Sequence, residues 1–267
     1  MESFNIGRTL SRTFTLIFST LGSVGLFLLI AQLINAALQY VFRTQMLASI
    51  ANMQASHDPA ARLAIFSSGW YWGYLLVTVL SASFMLAGSI HGYLKAAWGQ
   101  SASLAECFSA GLSKMLPVLG LYLLWGLGVG LGWILLIVPG LILMTMWSAA
   151  MPVLVGEDVG VVDSFGRSRA LTKGSRWVIF AVLLIFLIVI YAVMFGMLGA
   201  MIGGAGGMMQ FASSMNAMNT KPWLSLVMIP FAWIMSSLLN ALLTSIYVET
   251  VTIKEGGATG HLSQVFH

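Results

Sequence analysis

MLPVLGLYLLWGLGVGLGWILLIVPGLILMTMWSAAMPVLVG, residues 115–156, contains no charged side chain. An α-helix rises 1.5 Å per residue and the hydrocarbon core of a bilayer is about 30 Å thick, so one crossing takes roughly 20 apolar residues. The stretch is therefore long enough to cross, turn and come back. The punctuation in its middle is Ile137-Val138-Pro139-Gly140, a turn signal without a charge. Two readings follow. A tight hairpin at the far interface would have arms at about 115–138 and 140–156. A re-entrant pair would never fully cross, and would need protein around it because lipid cannot satisfy exposed backbone polar groups. The hairpin is the expectation, and its short second arm is where it can fail.

Working outward, further apolar runs lie at about 15–38, 71–94, 177–201 and 223–248. The expected fold is all-α: a polytopic transmembrane helical bundle of six spans forming one integral membrane domain over 1–267. Composition agrees, since 59% of residues are hydrophobic and 7% charged, with mean hydropathy +0.93. An ordinary soluble domain carries roughly 25% charged residues to cover its surface. Arg8 and Arg12 precede an apolar stretch far longer than the core of a secretion signal, so this is read as a retained first span. The single cysteine, Cys107, excludes an intrachain disulfide and a CxxC metal knuckle.

The net charge of +4 matters through its placement. With the N-terminus inside, nine of the 12 Lys and Arg residues fall on one side: Arg8, Arg12, Lys95, Lys114, Arg167, Arg169, Lys173, Arg176 and Lys254. Arg43, Arg62 and Lys221 fall on the other. The excess of cations marks the cytoplasmic side, so both termini are expected there. Basic residues that flank spans give no reason to expect a nucleic-acid partner.

Three short matches suggest an internal repeat. Leu10-Ser11-Arg12, Leu112-Ser113-Lys114 and Leu171-Thr172-Lys173 each precede an odd-numbered span. The chain then reads as three units, each an interfacial amphipathic helix (about 3–13, 102–114 and 159–175) followed by a helical hairpin. Ordinary flanking charge explains the same matches. Ser103-x-x-Glu106 reads as a capping box opening the second of these helices.

The segment Val159–Arg176 has the clearest chemistry. At 100° per residue Val161, Phe165, Ser168, Leu171 and Thr172 share one side, with Asp163, Arg167, Arg169 and Lys173 on the other and Asp163 spaced to pair with Arg167. Such a helix lies in the interface with its cations towards lipid phosphates. Arg8, Arg12, Lys114, Arg167, Arg169, Lys173 and Arg176 are thus candidate headgroup contacts, and anionic membrane lipids the expected partners. Plain topology-setting charge is the competing reading.

Other features carry less. Glu157-Asp158 with Asp163 forms an acidic cluster without a His or further carboxylate nearby to complete a metal or acid–base site. Gln32, Asn35 and Gln39 form a polar stripe in the first span, read as interhelical hydrogen bonding or, more sharply, as a solute path. No ionisable side chain sits near the middle of an expected span, which counts against an ion-coupled transporter. Gly126, Gly128, Gly130 and Gly132, then Gly199, Gly203 and Gly207, allow close helix approach within one chain or between copies. Pro230 is expected to kink the sixth span. No metal, cofactor or catalytic set is expected.

Pro139-Gly140, Trp147, Pro152, Glu157, Ser164-Phe165, Ser168, Leu171-Thr172-Lys173-Gly174 and Trp177, with the N-terminal Phe4-x-Ile6-Gly7, give the chain a likeness. It resembles the membrane domain attached to some bacterial glycerophosphodiester phosphodiesterases and the related YciC-like inner-membrane proteins. The resemblance implies a multi-span bacterial membrane domain, placed in the bacterial cytoplasmic (inner) membrane. It does not imply the diesterase activity, which belongs to a soluble domain for which the short tail after the last span leaves no room. The expected function is non-catalytic: lipid interaction, or a scaffold or accessory subunit, as a homo-oligomer or beside a membrane partner protein. A transporter or channel component for a small or lipid-like solute is the alternative. An intramembrane lipid-modifying enzyme would need Glu157, Asp158 and His91 in one pocket.

Overall fold

The computed structural model describes residues 4–55, 66–202 and 228–256. Its regular elements are all helical: α1 Ile6–Ser19, a π-turn at Leu21–Gly25, α2 Leu26–Ala55, α3 Gly69–Ala97, α4 Leu104–Leu135, α5 Ile137–Met146, α6 Ala150–Gly156, α7 Val161–Thr172, α8 Arg176–Ile202 and α9 Met228–Glu255. Among the described residues six segments are long and apolar enough to cross a membrane: Leu21–Met46, Gly69–Ala97, Leu104–Leu135, Val138–Gly156, Arg176–Val193 and Ile229–Glu255. The protein is a multi-pass helical membrane protein. Arg62, Lys221, Gly203 and Gly207 lie outside the described residues.

The charge-free stretch folds as an antiparallel hairpin. A Cβ placed on Gly132 would sit 2.9 Å from the Gly140 Cα, and one on Gly128 would sit 2.5 Å from the Trp147 ring. At the other end Lys114 meets the Val155 carbonyl and Asp158. These contacts keep one register along the pair. The return segment Val138–Gly156 has 19 residues, roughly 28 Å at 1.5 Å per residue before its bend, close to a bilayer's thickness. The return arm is bent, not short. Its break at Trp147–Ala149 separates α5 from α6 and leaves the Met146 carbonyl without a helical donor. Ser168 and Thr172 of α7 both donate to that carbonyl, at 2.9 and 3.2 Å. This is why two hydroxyls lie on the buried face of α7.

The interfacial helices differ from one another. α1 runs to Ser19, beyond the expected 3–13, and turns into α2 through the π-turn, whose Gly25 carbonyl accepts from Trp233 Nε1 at 2.8 Å. The second does not exist as a separate helix. The Ser103–Glu106 capping box forms, but the helix it starts continues unbroken through Pro117 to Leu135. α7 is separate, and Gly174 (φ +93°) makes the corner into α8. That backbone region suits glycine because a Cβ would clash with the carbonyl. The three repeated triplets also occupy unlike surroundings: Leu171 is 2% exposed and Leu112 65%. Pro230 lies near the start of the described part of α9, and the residues that precede Met228 in the expected sixth span lie outside the described residues.

The core lies at one end. Leu94, Val118, Leu121, Val153, Leu171 and Tyr247 form its largest cluster, at the ends of the helices that carry most of the cations. A second cluster around Phe27, Tyr93 and Cys107 joins α2, α3 and α4. Phe4, Ile179, Leu242 and Ile246 join α8 and α9 to the N-terminus.

Candidate functional site

The cation-rich end holds most of the candidates, in four assemblies. In the first, Glu249 of α9 is wholly buried and accepts from Arg8 Nε at 2.7 Å and Arg12 Nη1 at 3.3 Å. Thr13 and Ser245 join the same two helices at 3.1 Å. The face of α1 turned to the protein therefore carries charge and hydroxyls, while Phe14 and Phe18 are exposed. An inside-out helix of this kind suits a lipid surround, where apolar side chains need no cover and polar ones must find partners.

In the second, Arg167 donates to Glu157 Oε2 at 2.8 Å and Glu255 Oε1 at 2.5 Å, and the Tyr247 hydroxyl donates to Glu157 Oε1 at 2.9 Å. The expected Asp163–Arg167 pair is replaced by these longer-range partners. Burial works against the Arg167 charge, but the hydrogen bonds and charges of Glu157 and Glu255 outweigh it and hold its pKa above the ordinary arginine value.

The third is a cleft of about 260 Å³ between α3, α4 and α6, lined by His91, Glu106, Ser109, Ser113, Lys114 and Asp158. Lys95 pairs with Glu106 at 2.8 Å on its rim. Lys114 donates to the Val155 carbonyl at 3.1 Å and pairs with Asp158. His91 and Asp158 thus meet in one pocket, as an enzymatic reading requires, but Glu157 is tied to Tyr247 and Arg167 instead. No group of three His, Cys, Asp or Glu side chains is placed to hold a metal among the described residues.

The fourth is the α7–α8 corner. Arg169, Lys173 and Lys254 are exposed, and none is paired with a carboxylate among the described residues. Lys254 Nζ comes within 4.0 Å of a Cβ placed on Gly174, so α9 delivers its cation to this corner. Arg176 follows, with its Nε buried and without a hydrogen-bond partner among the described residues, and Trp177 is 85% exposed. Trp147 backs α7 from inside, 4.7 Å from the Phe165 ring.

The candidate cations therefore divide. Arg8, Arg12, Lys114 and Arg167 are engaged by carboxylates of the protein, whereas Arg169, Lys173 and Arg176 face outward or lack a carboxylate. Sequence reasoning missed Glu249, because the last span was ended one residue before it, and the helix runs on to Glu255. It also missed Ser109 and Ser113. A fourfold spacing of serines beside a capping-box glutamate was the available signal.

The polar stripe lies elsewhere, between α2 and α3. Ser81 donates to Asn35 Oδ1 at 2.8 Å, and Gln39 Nε2 donates to Asn35 at 3.1 Å and reaches Thr78 at 3.5 Å. Gln32 is half-buried on the same helix. A groove of about 340 Å³ runs past Asn35 and Ser81, but its other walls are Ile34, Leu38, Leu80, Phe84 and similar side chains. Asn35 and Gln39 are spent on holding helices together. The chain matches no protein-family model, no curated protein and no solved structure.

Proposed function

We propose that this membrane protein binds anionic lipid headgroups at its α7–α8 corner, facing the cytoplasmic leaflet of a bacterial inner membrane with both termini on that side. One observation carries the reading. The cations elsewhere at this end are matched to Glu249, Glu106, Asp158, Glu157 or Glu255, while Arg169, Lys173 and Lys254 have no carboxylate partner among the described residues, and Lys254 reaches the corner at Gly174. Each Lys or Arg near an anionic surface contributes about 1 kcal/mol, and exposed Trp177 suits the headgroup layer. The role is one of binding and not of catalysis.

Kinship with the diesterase-associated membrane domains belongs to the same proposal. The residues that carry the resemblance have structural work in this chain: Pro139-Gly140 at the hairpin tip, Trp147 over Gly128, Glu157 on Tyr247, Gly174 in the corner. Such a motif marks a way of packing a hairpin against an interfacial helix.

The test is the variant Arg169→Glu/Lys173→Glu/Lys254→Glu, with copurified lipid read by native mass spectrometry. Retained anionic lipid should fall several-fold with the melting temperature unchanged, since none of the three side chains holds the fold together by an ion pair. Retention equal to the parent protein's would remove the proposal. A scaffold role would then be the better reading.

A further inference from the structure

We propose that the cleft between α3, α4 and α6 binds a zwitterionic aminoalkyl phosphate, with the phosphate on Lys114 and the Ser109 and Ser113 hydroxyls and the ammonium on Asp158 and Glu106. This site is separate from the α7–α8 corner and does not rest on the reading given for it.

The argument begins with charge. Glu106 and Asp158 line the cleft, opposed by Lys114 within it and Lys95 at its rim. The four formal charges cancel. A simple anion would meet two carboxylates, and a simple cation would meet Lys114, so a ligand carrying both signs fits the lining best. His91 adds a ring that can donate or accept.

The pairs are also exchangeable. The Asp158 side chain is 67% exposed and that of Glu106 is 44% exposed, so both are ion pairs that water already competes for. Lys114 is better held, because the Val155 carbonyl at the end of α6 anchors its ammonium whether or not Asp158 stays. Asp158 has a left-handed backbone (φ +50°), which Asp and Asn tolerate better than most residues. Ser109 and Ser113 stand one turn apart on the same face of α4 and are exposed to the cleft. Pro117 brings no N–H to the Ser113 carbonyl four residues earlier, which leaves one more acceptor beside the site. At about 260 Å³ the space suits a headgroup-sized molecule better than a whole lipid.

The ligand could be a free metabolite or the headgroup of a lipid, and the test separates them. The full chain in non-ionic detergent is titrated calorimetrically with O-phosphoethanolamine and with a lysophosphatidylethanolamine. Inorganic phosphate and ethanolamine serve as single-charge comparators. Saturable binding of either ester, at least tenfold tighter than both comparators, is expected. Binding of the soluble ester points to a free ligand and binding of the lipid alone to a headgroup; both uphold the site. Asp158→Asn keeps the backbone tolerance and a hydrogen-bonding side chain, and should weaken the ester about tenfold, or roughly 1.4 kcal/mol, with little change for phosphate. Ser109→Trp fills the cleft from an exposed position and should abolish binding. Arg169→Glu/Lys173→Glu should leave it unchanged. The proposal is overturned if neither ester binds, if phosphate binds as tightly as the ester, or if both cleft variants keep the parent affinity. Should Ser109→Trp not fold, Asp158→Asn decides alone.

Discussion

The two halves of the bundle are built on different rules. At the cation-rich end, α1, α7 and the ends of α3, α4, α6 and α9 meet in a core that includes a fully buried carboxylate and its arginines. At the opposite end the helices expose apolar side chains: Ile134 is 81% exposed, Leu135 74% and Phe195 65%. Aromatic pairs mark that end, among them Phe42 with Trp70 at 5.9 Å and Tyr71 with Trp72 at 5.5 Å, as suits a membrane interface. In water such exposure would drive collapse. In lipid it does not, because acyl chains solvate leucine as well as another helix does. Packing is therefore needed where polar groups must be satisfied, and that is where this chain packs.

The largest effect should come from breaking the buried carboxylate's support. Arg8→Ala/Arg12→Ala strands Glu249 without its counter-charges, and loss of a partner from a buried ion pair costs roughly 3–5 kcal/mol. The melting temperature in detergent should drop sharply, and adding Glu249→Gln should restore much of it. A double variant as stable as the parent would mean that α1 is not held by charge.

The hairpin comes next. Gly132→Ala places a methyl 2.9 Å from the Gly140 backbone, which cannot swing aside as a side chain can. Overpacking of this kind costs roughly 1–3 kcal/mol. Gly126→Ala, on the same helix with nothing within 4 Å of the added carbon, should be neutral. Equal effects from the two substitutions would contradict the observed register.

The smallest effect belongs to the half away from the cations. Asn35→Ala removes the acceptor used by Ser81 and Gln39. Hydrogen bonds between membrane helices average about 0.6 kcal/mol, so unfolding in a denaturing detergent should shift only slightly. A shift as large as that of the Arg8/Arg12 variant would erase the distinction between the halves.

Much of this was legible in the residues. The charge-free stretch 115–156 was long enough for a hairpin, the reading favoured over a re-entrant pair, and the Ser103–Glu106 box marked a helix start that proved to be that of α4. The helical face of α7 was read correctly at Ser168, Leu171 and Thr172, all buried. What the spacing could not show was partnership. Asp163 stood at the right interval for Arg167, yet Glu157 and Glu255 took it, because α6 and α9 bring carboxylates to its other side.

Hydropathy and helical period are local properties, so the sequence by itself determined an all-α membrane protein and the crowding of cations towards one set of helix ends, and pointed to six spans with the fourth left open. Tertiary structure decided which of those cations remain available. Arg8 and Glu249 are 241 residues apart, and the cleft joins His91 to Lys114 and Asp158 across three helices. Whether a charge meets lipid, water or a carboxylate depends on how helices are placed against one another, and no local pattern encodes that distance. The hairpin at Pro139-Gly140 needed both: the sequence demanded a return, and the Gly132–Gly140 contact shows the return lying against the arm it came from.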